Sequence, residues 1–118
     1  GKLHEKLWRS LIGIHWNVLS PGAGTGWDAN RFLENACYGV AIVSQRPFIE
    51  YPDPFTHGKN VLWADSPGEA VSLVKELLLD RPRALEIASA GHYHYLKYHT
   101  AKARAKYILK HCGIDVSA

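Results

Sequence analysis

The stretch Asn30-Arg31-Phe32-Leu33-Glu34-Asn35-Ala36-Cys37-Tyr38-Gly39-Val40-Ala41-Ile42-Val43 decides the fold of this chain. Phe32, Leu33, Ala36 and Cys37 recur at helical spacing, and Gly39 stands where a left-handed residue ends a helix. The apolar run from Val40 to Ser44 predicts a strand covered on both faces. Just upstream, Gly22-Ala23-Gly24-Thr25-Gly26 is a glycine loop opening into the helix, which is expected over Trp27 to Tyr38. The first amides of a helix lack internal partners and carry partial positive charge, so a diphosphate is a natural guest there. A carboxylate two turns into the helix, Glu34, is within reach of a sugar hydroxyl. Together these residues predict a nucleotide-sugar site. The glycine spacing is G-x-G-x-G rather than G-x-G-x-x-G, which disfavours a nicotinamide cofactor.

Glu34 itself has two readings. Carboxylates are rarely buried unless paired, and its neighbours are small and apolar, so an ionised Glu34 can accept two hydrogen bonds from vicinal ribose hydroxyls. Alternatively it is a surface carboxylate paired with Arg31 or Asn30.

Outward from this centre, Leu3, Leu7, Trp8 and Leu11 predict a helix over Lys2 to Leu11, and Ile12 to Leu19 alternates as a strand does. Gln45 to Lys59, with its prolines, reads as a long loop, and Asn60 to Ala64 as a third strand. Ser66-Pro67-Gly68-Glu69 is a helix start, with Ser66 as cap, Pro67 at the first helical position and Glu69 completing a capping box. That helix is expected to bury Val71, Val74, Leu77 and Leu78. Asp80-Arg81-Pro82 opens the next helix, whose stripe is Ala84, Ile87, Ala88, Gly91 and Tyr95. Thr100 caps a last helix that Gly113 ends. Strands alternating with helices imply a parallel sheet wrapped by helices. The expected fold class is α/β: a three-layer, partial Rossmann-like domain with a short parallel sheet and a C-terminal helical segment.

With 118 residues the chain is long enough for one domain and one core. Charged residues at 21% and apolar residues at 47% fit a soluble globular protein, and no apolar run approaches membrane-spanning length. The positive residues concentrate between Lys97 and Lys106, read here as a solvated helix face. No recognition motif accompanies them, so no nucleic-acid partner is expected. Cys37 and Cys112 read as buried or idle thiols rather than a disulfide framework. His92 and His94 point about 200° apart on a helix and cannot share a ligand face, so no metal is expected. The segment His92 to His99 is read as packing rather than catalysis. A reducing, cytoplasmic setting is the default. The sequence contains no methionine and reads as a piece of a longer chain.

Asn30-Arg31-Phe32-x-Glu34-x-Ala36-Cys37-x-Gly39 followed by a strand resembles the group 1 glycosyltransferases of the GT-B fold. It is most similar to the branch with spore-maturation-type glycosyltransferases. The resemblance continues through Pro54-Phe55-Thr56-His57-Gly58-Lys59-Asn60-Val61, through Ile87-Ala88-Ser89-Ala90-Gly91, and through His99-Thr100 with Arg104-Ala105. It spans about Ile12 to Leu109, with Leu33 as an extra residue between Phe32 and Glu34. Many relatives carry two glutamates eight positions apart, the first touching the donor sugar and the second the ribose. Glu34 matches the second, and Gly26 stands where the first would be.

The resemblance implies a glycosyltransferase whose donor-binding half holds a nucleoside-diphosphate sugar for transfer to an unknown acceptor. The donor contacts would be Gly22, Gly24, Thr25, Gly26, Arg31 and Glu34, with no catalytic side chain, metal or cofactor supplied by this chain. Residues 1–118 would form a single partial domain, the later part of the donor-binding domain. The acceptor-binding N-terminal domain would be a missing partner, and the chain alone would be inactive. An open sheet edge would favour homo-oligomers. The alternative is a non-catalytic nucleotide-binding or protein-interaction module derived from that fold.

Overall fold

The computed structural model describes residues 10–16, 29–47 and 51–114. Within them lie three strands and four helices: β1 (Ile12–His15), α1 (Ala29–Cys37), β2 (Ala41–Gln45), β3 (Leu62–Ala64), α2 (Pro67–Leu79), α3 (Arg81–Tyr98) and α4 (Ala101–His111). The strands form one parallel sheet in the order β1-β2-β3. Ile12 pairs with Ala41 and His15 with Ser44 on one side of β2; Val43 pairs with Leu62 and Gln45 with Ala64 on the other.

Alternation along the strands separates two apolar layers. Ala41, Val43, Leu62 and Ala64 face α2 and the first half of α3, packing on Ala70, Leu77, Ala84, Ile87 and Ala88. Ile42, Val61 and Trp63 face the other way, onto Phe32 and Ala36 of α1 and onto Phe55. β2 is therefore buried on both faces, as its unbroken apolar run predicts. With α1 on one side of the sheet and α2 and the first half of α3 on the other, the domain is a three-layer α/β fold, and the second half of α3 passes to the α1 side, where Tyr95 packs against the cluster of Phe32 and Phe55.

The helix ends follow local chemistry. Gly39 sits at φ 69°. Its N–H donates to the Ala36 carbonyl (3.2 Å) and the Val40 N–H to the Asn35 carbonyl (3.0 Å), a paired closure that turns the chain directly into β2. Ser66 Oγ accepts from the Glu69 N–H (3.1 Å), with Pro67 at the first helical position. The expected capping box is displaced by one residue, because the Glu69 carboxylate accepts from the Asp65 N–H (3.0 Å). Asp80 closes α2 and caps α3 through Oδ1, which accepts from the Arg83 N–H. Thr100 Oγ1 accepts from the Ala103 N–H, and Gly113 at φ 79° ends α4.

Two packing expectations need correction. α2 buries Ala70 and Leu77, with Leu73 and Val74 half-buried, while Val71 (52% exposed) and Leu78 (63% exposed) face outward. Leu77, Leu78 and Leu79 are consecutive and apolar, so spacing alone leaves the phase of the stripe undetermined. Cys37 and Cys112 are free thiols, as expected, but both are exposed, so of the two readings, buried or idle, the buried one falls. Boundaries also shift. β1 is Ile12–His15 with Trp16 outside it, while Asn17 to Leu19 of the expected strand lie outside the described residues, and β3 begins at Leu62. Ser10 and Leu11 are not helical, and the rest of the helix expected over Lys2 to Leu11 lies outside the described residues.

α3 approaches the sheet closely where Gly91 passes the turn before β3. A Cβ on Gly91 would stand 3.0 Å from the Asn60 carbonyl oxygen. On β1, a side chain at Gly13 would meet the buried Asn35 amide of α1. These two glycines let helices settle onto the sheet without spacing it apart.

Candidate functional site

In a parallel α/β sheet, ligands meet the carboxyl ends of the strands and the helix starts that follow them. Here that edge comprises the ends of β1 and β2 and the start of α1. Glu34 is the sixth residue of α1. Its side chain is half-buried, and Oε2 is withdrawn from solvent. It is therefore not an open surface carboxylate. Arg31 lies one turn earlier on the same helix, and its side chain is outside the described residues. Gly22, Gly24, Thr25 and Gly26 are also outside them. Of the six predicted donor contacts, the structure places Glu34 in full and Arg31 by its backbone.

Two polar residues at the strand ends were not anticipated. His15 closes β1 and is 5% exposed; Ser44, its register partner on β2, is fully buried. His15 Nδ1 lies 3.1 Å from Ser44 Oγ, and Ser44 Oγ–H donates to the Gln45 carbonyl at 3.0 Å. With the serine proton committed, the Nδ1–H of His15 is the donor. The imidazole also sits edge-on to Phe32, with ring centroids 6.0 Å apart. Two buried polar side chains thus meet on the α1 face of the sheet, at the edge where such sheets bind ligands. Their pairing comes from strand register between residues 29 apart. A histidine in an alternating strand is the one local trace of it.

The histidine-rich end of α3 does different work. His94 Nε2–H and His99 Nε2–H both donate to the Asp53 carbonyl, at 2.8 and 2.9 Å. Asp53 is held at φ 53°, unusual for a residue with a side chain, and this double grip compensates. Arg104 Nη2 donates to His99 Nδ1 (2.6 Å) and to the Pro52 carbonyl (3.0 Å). Both His99 ring nitrogens are occupied, which fixes the neutral tautomer. Burial first, and the Arg104 charge second, push its pKa down to about 4. His92 turns elsewhere, its Nδ1–H donating to the Ala36 carbonyl at the end of α1 (3.1 Å). His92 and His94 thus serve different segments, and among the described residues no group of three His, Cys, Asp or Glu is placed to hold a metal.

The motifs that carry the resemblance converge on one interior chain of rings. Phe32 packs edge-on to Phe55 (4.9 Å) and stacks on Trp63 (5.6 Å), and Phe55 stacks on His99 (5.2 Å). Gly91 makes room beside Phe55 and Asn60. Asn60 Oδ1 in turn accepts from the Thr56 N–H (2.6 Å), and His57 Nδ1 accepts from the Trp63 N–H (2.9 Å). These signature residues therefore build the scaffold. Glu34 is the signature residue whose carboxylate keeps one oxygen, Oε2, out of solvent.

The architecture defines a three-layer α/β domain with a parallel sheet and a polar pair at its carboxyl edge. A model of the glycosyl transferase-like family matches residues 2–110, and the chain belongs to that family. Membership gives it a glycosyltransferase-type function. No curated protein and no solved structure matches the chain. Among the described residues, no helix is long and apolar enough to cross a membrane.

Proposed function

We propose that residues 1–118 form the later part of a GT-B donor-binding domain from the spore-maturation-like branch, and that they hold a nucleoside-diphosphate sugar. The amides of Gly22, Gly24, Thr25 and Gly26, together with Arg31, would cradle the diphosphate. Glu34 would accept hydrogen bonds from the ribose and so set the register of the donor. The chain's contribution to transfer is electrostatic: fixed dipoles and a guanidinium stabilise negative charge developing on the departing diphosphate. An acceptor domain, supplied by another part of the protein, would complete the cleft. The observation that carries this reading is the family match over residues 2–110, within which Glu34 keeps one carboxylate oxygen away from solvent.

Calorimetric titration with uridine and guanosine diphosphates tests the proposal. Glu34→Gln should weaken binding by about 1–2 kcal/mol, the scale of a hydrogen bond to a charged group, with the melting temperature unchanged. Absence of any nucleotide-induced amide shift near Gly24 or Glu34 would remove the site assignment. A second reading, a non-catalytic nucleotide-binding module, is favoured by Gly26 at the position of the first family glutamate. Tight diphosphate binding without hydrolysis of a sugar nucleotide would support that reading.

A further inference from the structure

The charge of this chain is segregated. From Ile87 to Ile114 it carries five Lys and Arg residues and no Asp or Glu, whereas the rest holds nine Lys and Arg against eleven Asp and Glu. Arg104 is committed to His99 and Pro52, and Lys97 lies 5.0 Å from the Tyr98 ring centroid. The remaining three cations, Lys102, Lys106 and Lys110, repeat every four residues along one side of α4, and all are exposed. Among the described residues none of them enters an ion pair. No residue of α4 is buried. Its inner face, Ala103, Arg104 and Tyr107, is half-buried, while Ala101, Ala105 and Ile108 form an apolar strip facing away, with Ile108 59% exposed. The lysine row borders that strip.

We propose that this outer face of α4 docks on the anionic headgroups of a lipid bilayer, with the helix lying in the interface plane. A row of lysines beside an outward apolar strip is the pattern of an interfacial helix: the strip enters the headgroup boundary and the lysine stems run along it to reach phosphates. Nucleic acid matches the charge but offers nothing to Ala101, Ala105 and Ile108, since phosphate contacts need no apolar strip. An acid-free segment removes the repulsion that would otherwise oppose approach to a negative surface. The surface is separate from the nucleotide edge of the sheet, and its test uses no nucleotide.

The full chain is mixed with vesicles of phosphatidylcholine alone or with about one-third phosphatidylglycerol, and the bound fraction is measured by flotation. The chain should float with the anionic vesicles, stay behind with the neutral ones, and be released when salt rises from about 0.05 to 0.5 M. Replacing Lys102, Lys106 and Lys110 together by Glu should lower the partition on the order of a hundredfold, at roughly tenfold or less per lysine. The variant's far-ultraviolet circular dichroism should match that of the parent. Ile108→Ser, which leaves the charge intact, should weaken vesicle binding several-fold and leave retention on duplex DNA unchanged. Equal binding to neutral and anionic vesicles would overturn the proposal, as would indifference to the triple replacement. Duplex DNA bound as tightly as the anionic vesicles, with Ile108→Ser without effect on either, would assign the face to nucleic acid instead.

Discussion

His99 has both ring nitrogens occupied, Nε2 on the Asp53 carbonyl and Nδ1 facing Arg104, while Phe55 covers one ring face. Protonation would place a second positive charge against Arg104 and remove the acceptor that it uses. The folded pKa of about 4 lies below the ordinary histidine value of 6.5, so between those values the unfolded chain binds more protons than the folded one. Stability is then complete above about pH 6.5 and declines as pH falls toward 4, by at most about 1.4 kcal/mol per pH unit for one proton. Thermal melts across this window should show the decline, and His99→Gln should flatten it relative to the parent. An identical slope in both proteins would show that His99 does not carry the dependence. At this scale the sequence is legible where chemistry is local. Glu34 stands out because a carboxylate among small apolar neighbours is conspicuous. The His15–Ser44 pair does not, because only the register of β1 on β2 brings the two together.

The boundaries of α2 and α3 were readable because each is set by a few adjacent side chains. Ser66, Pro67 and Glu69 satisfy or avoid the unpaired amides of the first turn of α2. Ser66→Ala should therefore cost about 1 kcal/mol of stability, read as a lower denaturant midpoint, and leave nucleotide affinity alone. A loss of affinity at an unchanged midpoint would make this turn a binding loop instead of a cap. The outward faces were harder to read, since the apolar stripe of α2 is wider than the surface it covers and Val71 and Leu78 end on the outside. The segment around Asp53 was harder still. It has no regular hydrogen-bond ladder, and its position comes from His94, His99 and Arg104 on its carbonyls, more than 40 residues away. No propensity scale registers a loop held by distant side chains.

The sheet raises a question that belongs to the molecule as a whole. Among the described residues β1 and β3 are its edges, and β2 is the one strand paired on both sides. β3 has three residues, which gives a visiting strand little to pair with. β1 has four, and Ile14 on it is 54% exposed. Neither charge nor proline lies within Ile12–His15 to guard that edge, and unguarded edges attract further strands. If the chain is part of a larger donor domain, as proposed, that domain would extend the sheet and cover β1. On that reading the chain by itself should instead self-associate and should transfer no sugar, because donor and acceptor would meet between two domains. Light scattering over a dilution series should give a mass above 13.2 kDa that falls toward it as the protein is diluted. Ile14→Lys places a charge beside the edge at a half-exposed position, so it should move the association to roughly tenfold higher concentration while barely changing the melting temperature. A chain that stays monomeric at high concentration would mean that β1 is covered from within. A monomer that also turned over a sugar nucleotide would make the domain complete and would end the partial-domain reading.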